Sequence, residues 1–370
     1  MPPTIRPRFC LLAAAAIASC VAVELGCGSP SAVDPQTEVS PDGGNGSDGG
    51  GSGTDGATAA DAGGSDCTPP SIPGAEVLNT DLGQVSSIGI DDGSVFALGP
   101  RVSDFKRALY SLPKAGGPLL LVADADIASR SGRVVVGGTR AYWADNAGIH
   151  GVEKAGGSAT LLGPETRQPT WMAAQGAKLY WIVDSGVGGV VLRSAPLAGG
   201  PPTDVYTSPS NQDSFAVDGT NAYFGDRLSI TVVALSNGAK STLYTAQSAS
   251  EDILGAPEVS GATLFFLGTK SIRKIATTGP SPMPTDVSPA HRPFFPTIGA
   301  DLVWLEPDPL DNGITRRARM IRAVALAGGA ARDVVKDPWE ITGYSADATH
   351  LYWVASKNSI CPSVVRRIPR

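Results

Sequence analysis

Histidine is the side chain that most often moves protons or binds a metal near neutral pH, and this chain of 370 residues has three: His150, His291 and His350. They form no His-x-x-x-His pair and no Cys-x-x-Cys accompanies them, so no zinc site is written in the local sequence. There is no Gly-x-Ser-x-Gly elbow to present a nucleophilic serine, and no Gly-x-x-x-x-Gly-Lys loop to cradle phosphates. Gly186-Val187-Gly188-Gly189 is glycine-rich but lies between two apolar runs, and reads as a turn. His150, at a hairpin, and His350, at the head of a strand, read as structural or solvated. Asp213, Glu251, Asp252 and His291 carry the oxygen and imidazole donors that a divalent cation takes. Brought together they would suit metal-assisted chemistry of the lactonase or lyase kind. Nothing in their spacing singles them out, so no catalytic residue or metal ligand is assigned and no cofactor is implied.

Whatever the chemistry, a repeated aromatic signature sets the elements that must position it. It is clearest at Ala141-Tyr142-Trp143-Ala144-Asp145 and returns as Leu179-Tyr180-Trp181, Ala222-Tyr223-Phe224, Leu264-Phe265-Phe266, Leu302-Val303-Trp304 and Leu351-Tyr352-Trp353, with a weaker first copy at Val95-Phe96. Adjacent residues on a strand point to opposite faces, so these strands require burial on both sides. Taking Phe96, Trp143, Trp181, Phe224, Phe266, Trp304 and Trp353 as anchors, the period is about 43 residues, that of a four-stranded propeller blade. A basic-apolar strand follows each signature, as in Leu192-Arg193-Ser194-Ala195 and Ile321-Arg322-Ala323-Val324, and then a paired-glycine turn such as Gly156-Gly157 or Gly199-Gly200.

The expected fold is therefore all-β: a seven-bladed β-propeller of four-stranded antiparallel blades, with six blades as the alternative because the first copy is weak. The chain ends just after the seventh third-strand, so that blade lacks a fourth. Glu76-Val77-Leu78-Asn79, which precedes the first repeat, can supply it and close the ring.

In such a ring, the loops entering the first strands and those joining the second and third strands gather on one face, around the axis. These loops hold the candidate ligand-contacting residues Arg167, Gln168, Asp213, Glu251, Asp252, His291, Arg292, Trp339 and Glu340. The longest, Glu306 to Arg319, opens with acids and closes with arginines. The set fits a small polar ligand or a peptide; it equally fits solvated loops with internal ion pairs. Trp171 and Trp339 read as residues packed between blades, or else as stacking platforms.

Tyr142-Trp143-Ala144-Asp145, then Gly148-Ile149, then Lys154-Ala155-Gly156-Gly157, resembles the YWTD-type propeller repeat, and the layout is similar to propeller lipoproteins of bacteria with large genomes, of the myxobacterial kind. The resemblance covers about residues 76–370. One copy alone keeps the aspartate in register, at Asp145, and the cysteines for neighbouring EGF-like modules are missing. The resemblance implies a binding or scaffold platform, with no particular ligand.

The first residues read as an export signal: Arg6 and Arg8, then the apolar stretch Phe9–Ala18. Ile17-Ala18-Ser19-Cys20 is similar to a lipobox, giving a leader of 1–19 with Cys20 lipidated; Gly26-Cys27 offers the alternative, a leader of 1–26. Residues 28–66 are almost entirely Gly, Ser, Asp, Ala, Thr and Pro, too polar to bury a core, and read as a disordered tether before a propeller domain of 67–370. In an oxidising compartment, Cys67 and Cys361, flanking the closing strand and lying within its blade, are expected to form a disulfide. A formal charge of −6 leaves no basic footprint for nucleic acid. The body has no apolar run near the ~20 residues of a membrane span. The expected protein is a monomeric envelope lipoprotein, touching the membrane through its lipid alone, facing the periplasm or the surface from the outer membrane, and binding a protein, peptide or glycan.

Overall fold

Each copy of the aromatic signature needs cover on both faces, and the structure provides it by placing the signature on the second strand of a sheet flanked by two other sheets. The computed structural model describes residues 66–370, apart from 86, 103–106, 125–132, 187, 213, 248–256, 269, 281, 291–292, 308–317 and 359. The chain divides between Ala60 and Asp61 into two units, and every described residue lies in the second.

One strand, β1 (Glu76–Leu82), precedes the repeats. Blade 1 holds β2 (Ser87–Ile90), β3 (Ser94–Pro100), β4 (Arg107–Pro113) and β5 (Leu120–Asp124). Blade 2 holds β6 (Val135–Gly137), β7 (Arg140–Asp145), β8 (Gly148–Glu153) and β9 (Thr160–Pro164). Blade 3 follows with β10 (Trp171–Gln175), β11 (Lys178–Asp184), β12 (Val190–Pro196) and β13 (Thr203–Ser208), and blade 4 with β14 (Phe215–Val217), β15 (Asn221–Asp226), β16 (Ser229–Ala234) and β17 (Lys240–Thr245). Blade 5 is β18 (Glu258–Ser260), β19 (Thr263–Leu267), β20 (Ser271–Ala276) and β21 (Thr285–Pro289); blade 6 is β22 (Phe294–Ile298), β23 (Asp301–Pro307), β24 (Ala318–Ala325) and β25 (Arg332–Lys336). Blade 7 has β26 (Glu340–Ala346), β27 (His350–Ser356) and β28 (Ser363–Pro369), with β1 as its outer strand. All seven sheets are antiparallel and four-stranded, six of them simple meanders, and the inner strands β2, β6, β10, β14, β18, β22 and β26 touch in cyclic order back to β2. The fold is a seven-bladed β-propeller.

The core is divided among the seven interfaces between blades, one apolar cluster to each. The two aromatics of a signature go to different clusters: Tyr142 packs toward blade 3 and Trp143 toward blade 1. Blade 1 departs from the expected alignment by one residue. Phe96 pairs with Gly89 and Ser111, the level of the first aromatic, and packs toward blade 2; Ala97 holds the place of the tryptophan. The first copy looked weak because its second aromatic is an alanine.

The basic residue of each third strand also gains an explanation. In register, Trp181 faces Arg193, Trp304 faces Arg322, Trp353 faces Arg366, Phe266 faces Arg273 and Trp143 faces His150. A carboxylate then ties ring and cation together. Trp181 Nε1 donates to Glu165 (2.7 Å), which pairs with Arg193; Arg193 also meets Asp204 at 2.7 Å. Trp304 Nε1 donates to Glu306 (2.9 Å), which lies 3.4 Å from Arg322. Trp353 Nε1 donates to Asp337 (2.9 Å), 3.6 Å from Arg366. In blade 2, His150 stacks on Trp143 with centroids 5.4 Å apart and meets Asp145 at 2.9 Å. In blades 3, 6 and 7 the clasp lets an indole N–H sit deep in an apolar interface without losing its acceptor, whereas in blade 2 the Trp143 N–H is buried without one.

Ring closure joins the two ends of the domain. β1 runs antiparallel to β28, from Glu76 opposite Arg367 to Leu82 opposite Ser363, with two register shifts on the way. Ahead of it, the chain passes along the blade edge. The Cys67–Cys361 disulfide forms as expected, with Cα atoms 5.3 Å apart. Arg366 donates to Pro70 O at 2.7 Å, Ile72 enters the cluster between blades 6 and 7, and Arg367 pairs with Glu76 at 2.6 Å. Across the seam to blade 1, Lys114 meets Asp347 at 2.5 Å, its ammonium 5.0 Å from the centre of the Tyr352 ring.

Two expectations follow. Glu306→Ala takes the acceptor from the buried Trp304 N–H and leaves Arg322 with Asp333 (3.0 Å) as its carboxylate, and should cost about 2 kcal/mol in urea unfolding; a loss under about 0.5 kcal/mol would show that the clasp is incidental. Removing residues through Leu82 takes away β1 and bares the edge of β28. Light scattering should show that product aggregating while the full domain stays monodisperse.

Candidate functional site

Along a propeller axis the lining comes from the inner strands, which in this chain are apolar or small, such as Ser87-Ile88-Gly89-Ile90 and Phe215-Ala216-Val217. Against that background, Arg133 and Glu258 stand out. Arg133 lies two residues before β6 of blade 2; Glu258 opens β18 of blade 5. These blades lie three apart in the ring of seven, yet the two charges act on each other, together with Tyr344 on β26 of blade 7. Groups from three such blades meet across the axis. All three are half-buried, so each keeps part of its surface accessible.

The guanidinium of Arg133 is supported by Trp171, the first residue of β10 in blade 3, with Cζ 4.0 Å from the centre of the indole. Arginine stacks in this way because its charge is delocalised over a plane. Its Nη1 is shielded from solvent and has no hydrogen-bond partner. Burial lowers the pKa of Arg133, and the charge of Glu258 partly offsets this. Burial pushes the Glu258 carboxyl up to about 7, against the pull of Arg133. Tyr344 is driven far above the usual phenol range, chiefly by burial; its hydroxyl donates to Val303 O at 3.1 Å, and Thr297 also hydrogen-bonds it.

The loop residues singled out from sequence fare differently. Arg167 pairs with Asp184 at 2.5 Å on an exposed part of the surface. Gln168 and Glu340 are half-buried, Glu340 being the first residue of β26. Trp339 is buried in the cluster between blades 6 and 7 and so packs between blades. Asp213, Glu251, Asp252, His291 and Arg292 lie outside the described residues, as do Cys20 and Cys27. Among the described residues, no group of three or more His, Cys, Asp or Glu side chains could hold a metal ion. Arg133 and Glu258 were missed because Arg133-Val134-Val135-Val136 reads as an apolar inner strand. The signal was present: a charge in a run destined for the axis needs a reason.

A second concavity lies at the rim between blades 2 and 3, about 880 Å³, lined by Arg140, Glu153, Leu161, Gly199, Pro201 and Pro202 among others. Elsewhere the turn before an outer strand leans on the preceding blade, as where Gly157 N donates to Val122 O (3.1 Å) and Gly329 N to Val287 O (3.3 Å). A Cβ at Gly199 would meet nothing within 4 Å, so here the turn stands off and leaves the cleft.

No family model and no curated protein matches the chain. Solved structures do resemble it. The computationally designed Ika8 protein superposes with a TM-score of 0.50 at 9% identity, over 78% of this chain and 98% of that one. The AfRom2 CNH domain gives 0.50 at 9% identity, over 80% and 98%. A Mycobacterium tuberculosis puromycin-hydrolyzing peptidase gives 0.52 at 15% identity, over 79% of this chain and 52% of that one. At such identities these likenesses speak to the fold alone.

Glu258 yields a pH prediction. The folded protein holds this proton more tightly than the unfolded chain, whose value is near 4.5; its contribution to stability is complete below that value and is lost as pH rises through about 7. The unfolding free energy of wild type should therefore decline across this window more steeply than that of Glu258→Gln. Parallel profiles for the two would show the carboxyl to be solvated as in a free peptide.

Proposed function

We propose that the protein is an exported, lipid-anchored β-propeller of the bacterial envelope that serves as a binding platform and is not itself an enzyme. The observation that carries this reading is the Cys67–Cys361 disulfide, which clamps the closing strand of the ring and requires an oxidising compartment. The leader with its cysteines at Cys20 and Cys27 points to the same compartment, and the polar stretch 28–66 would hold the ring away from the membrane. Support for binding comes from the axis, where a stacked guanidinium with an unpartnered nitrogen and a carboxyl lie among apolar inner strands. The likeness of the repeat to YWTD-type propellers agrees with such a role, as does its resemblance to propeller lipoproteins.

Fractionation and mass spectrometry test the proposal. Protein made in a Gram-negative host should partition into detergent, and its intact mass should show acyl groups on an N-terminal cysteine. Replacing Cys20 and Cys27 separately identifies which one carries them. A soluble, unacylated product beginning near Gly28 would overturn the anchoring. Purified protein that retains a divalent metal and opens lactones would replace the platform by an enzyme.

A further inference from the structure

Among the described residues, the arginine at the axis has no counter-ion within 4 Å. Guanidinium carries five N–H donors in a planar fork, and a buried donor left unmade is costly, so such a group calls for an explanation. No ion pair within 4 Å or hydrogen bond of Arg133 occurs among the described residues, and its Nη1 is both shielded and unpartnered. Glu258 acts on it through space without touching it. The indole of Trp171 covers one face of the group, with the guanidinium carbon 4.0 Å from the ring centre. With that face covered, an incoming acceptor must approach in the plane, along the edge that holds the nitrogens.

We propose that Arg133, backed by Trp171, is a clamp for a carboxylate monoanion delivered along the propeller axis, with both oxygens accepting from the guanidinium edge. This deepens the platform reading and rests on it. Carboxylate is favoured because its planar pair of oxygens matches the fork. A monoanion is favoured because Glu258 lies on the same axis, and a dianion such as phosphate would meet more repulsion. Tyr344 is not a competing donor, since its hydroxyl is already given to Val303 O. The carboxylate could belong to a small organic acid or to a peptide C-terminus, and the chemistry at Arg133 is the same for both.

The charge state of Glu258 should govern affinity. Apart from Arg133 and Tyr344, the strands packed against β18, namely β14, β19 and β22, bring no titratable side chain to it. Ionised Glu258 repels the ligand, and its neutral form does not. Binding should tighten as pH falls from 8 to 6, with proton uptake.

The test uses the full exported domain and follows tryptophan fluorescence and calorimetry with four probes: acetate, benzoate, inorganic phosphate, and a tripeptide with its C-terminus free or amidated. Wild type should bind a carboxylate with millimolar affinity or better, and phosphate more weakly. Benzoate or acetate binding with no peptide preference identifies a small acid; loss on amidation of a tighter peptide identifies a C-terminus. Arg133→Gln should lose at least about tenfold in affinity, and Arg133→Lys a similar factor, since lysine keeps the charge but loses the fork and the stack. Arg133→Gln should melt no lower than wild type, because it removes an unpaired buried charge, so weaker binding cannot be blamed on unfolding. Glu258→Gln should bind at least as tightly and lose the pH dependence. Equal binding by wild type and Arg133→Gln would overturn the clamp. So would no binding by wild type of any probe at 10 mM, which would mean water alone fills the edge; the acylation result would be untouched by either outcome.

Discussion

A strand with bulky aromatics on both faces leaves two apolar surfaces to cover, and a single blade can cover neither with its own residues. Among the described residues, every apolar cluster is shared between two neighbouring blades. Covering one blade therefore creates a need for the next, and the requirement ends only when the seventh meets the first. The closing strand, the disulfide and the Lys114–Asp347 bridge across the seam all serve that single demand. In blades 3, 6 and 7, the clasps of tryptophan, cation and carboxylate solve a smaller problem of the same kind. They let polar atoms enter the packed interfaces with their partners already attached.

The architecture was legible in the sequence because it is periodic. Aromatic pairs, third-strand arginines and paired glycines recur at the blade interval, and the missing last strand pointed to Glu76–Asn79. Even the pairing of Cys67 with Cys361 followed from where the chain must run. The one-residue slip in blade 1 was hidden because Phe96 is a plausible anchor, and only its register with Gly89 shows which level it fills. The carboxylates of the clasps were also hidden. Asp145 and Glu306 stand 2 residues after their tryptophans, whereas Glu165 and Asp337 stand 16 before theirs on the far side of another strand, so no single spacing marks all four.

The axis was the least legible part. Its residues come from one position on each of several inner strands, far apart in sequence, and their meaning depends on being brought face to face. Arg133 and Glu258 are 125 positions apart by number, and no local pattern connects them. Of the loop residues chosen for polarity, Arg167 is satisfied by Asp184 and Trp339 by packing. Polarity at a rim is common. An unpartnered cation among apolar inner strands is not.

The seam has a consequence for the order in which the ring can be made. β1 is synthesised before any blade, and its partner β28 comes last, with the disulfide spanning a separation of 294 residues. The first strand must wait, unpaired, while the whole ring is produced, and contacts of such long range are slow to form. Blades 1 to 6 can pack in sequence as they emerge, each covering the exposed face of its predecessor. Blade 7 cannot be finished until the earliest segment of the domain returns to it. Completion of the protein is thus a single late event, and any chain cut short before Ser363 carries a waiting strand with nothing to pair against.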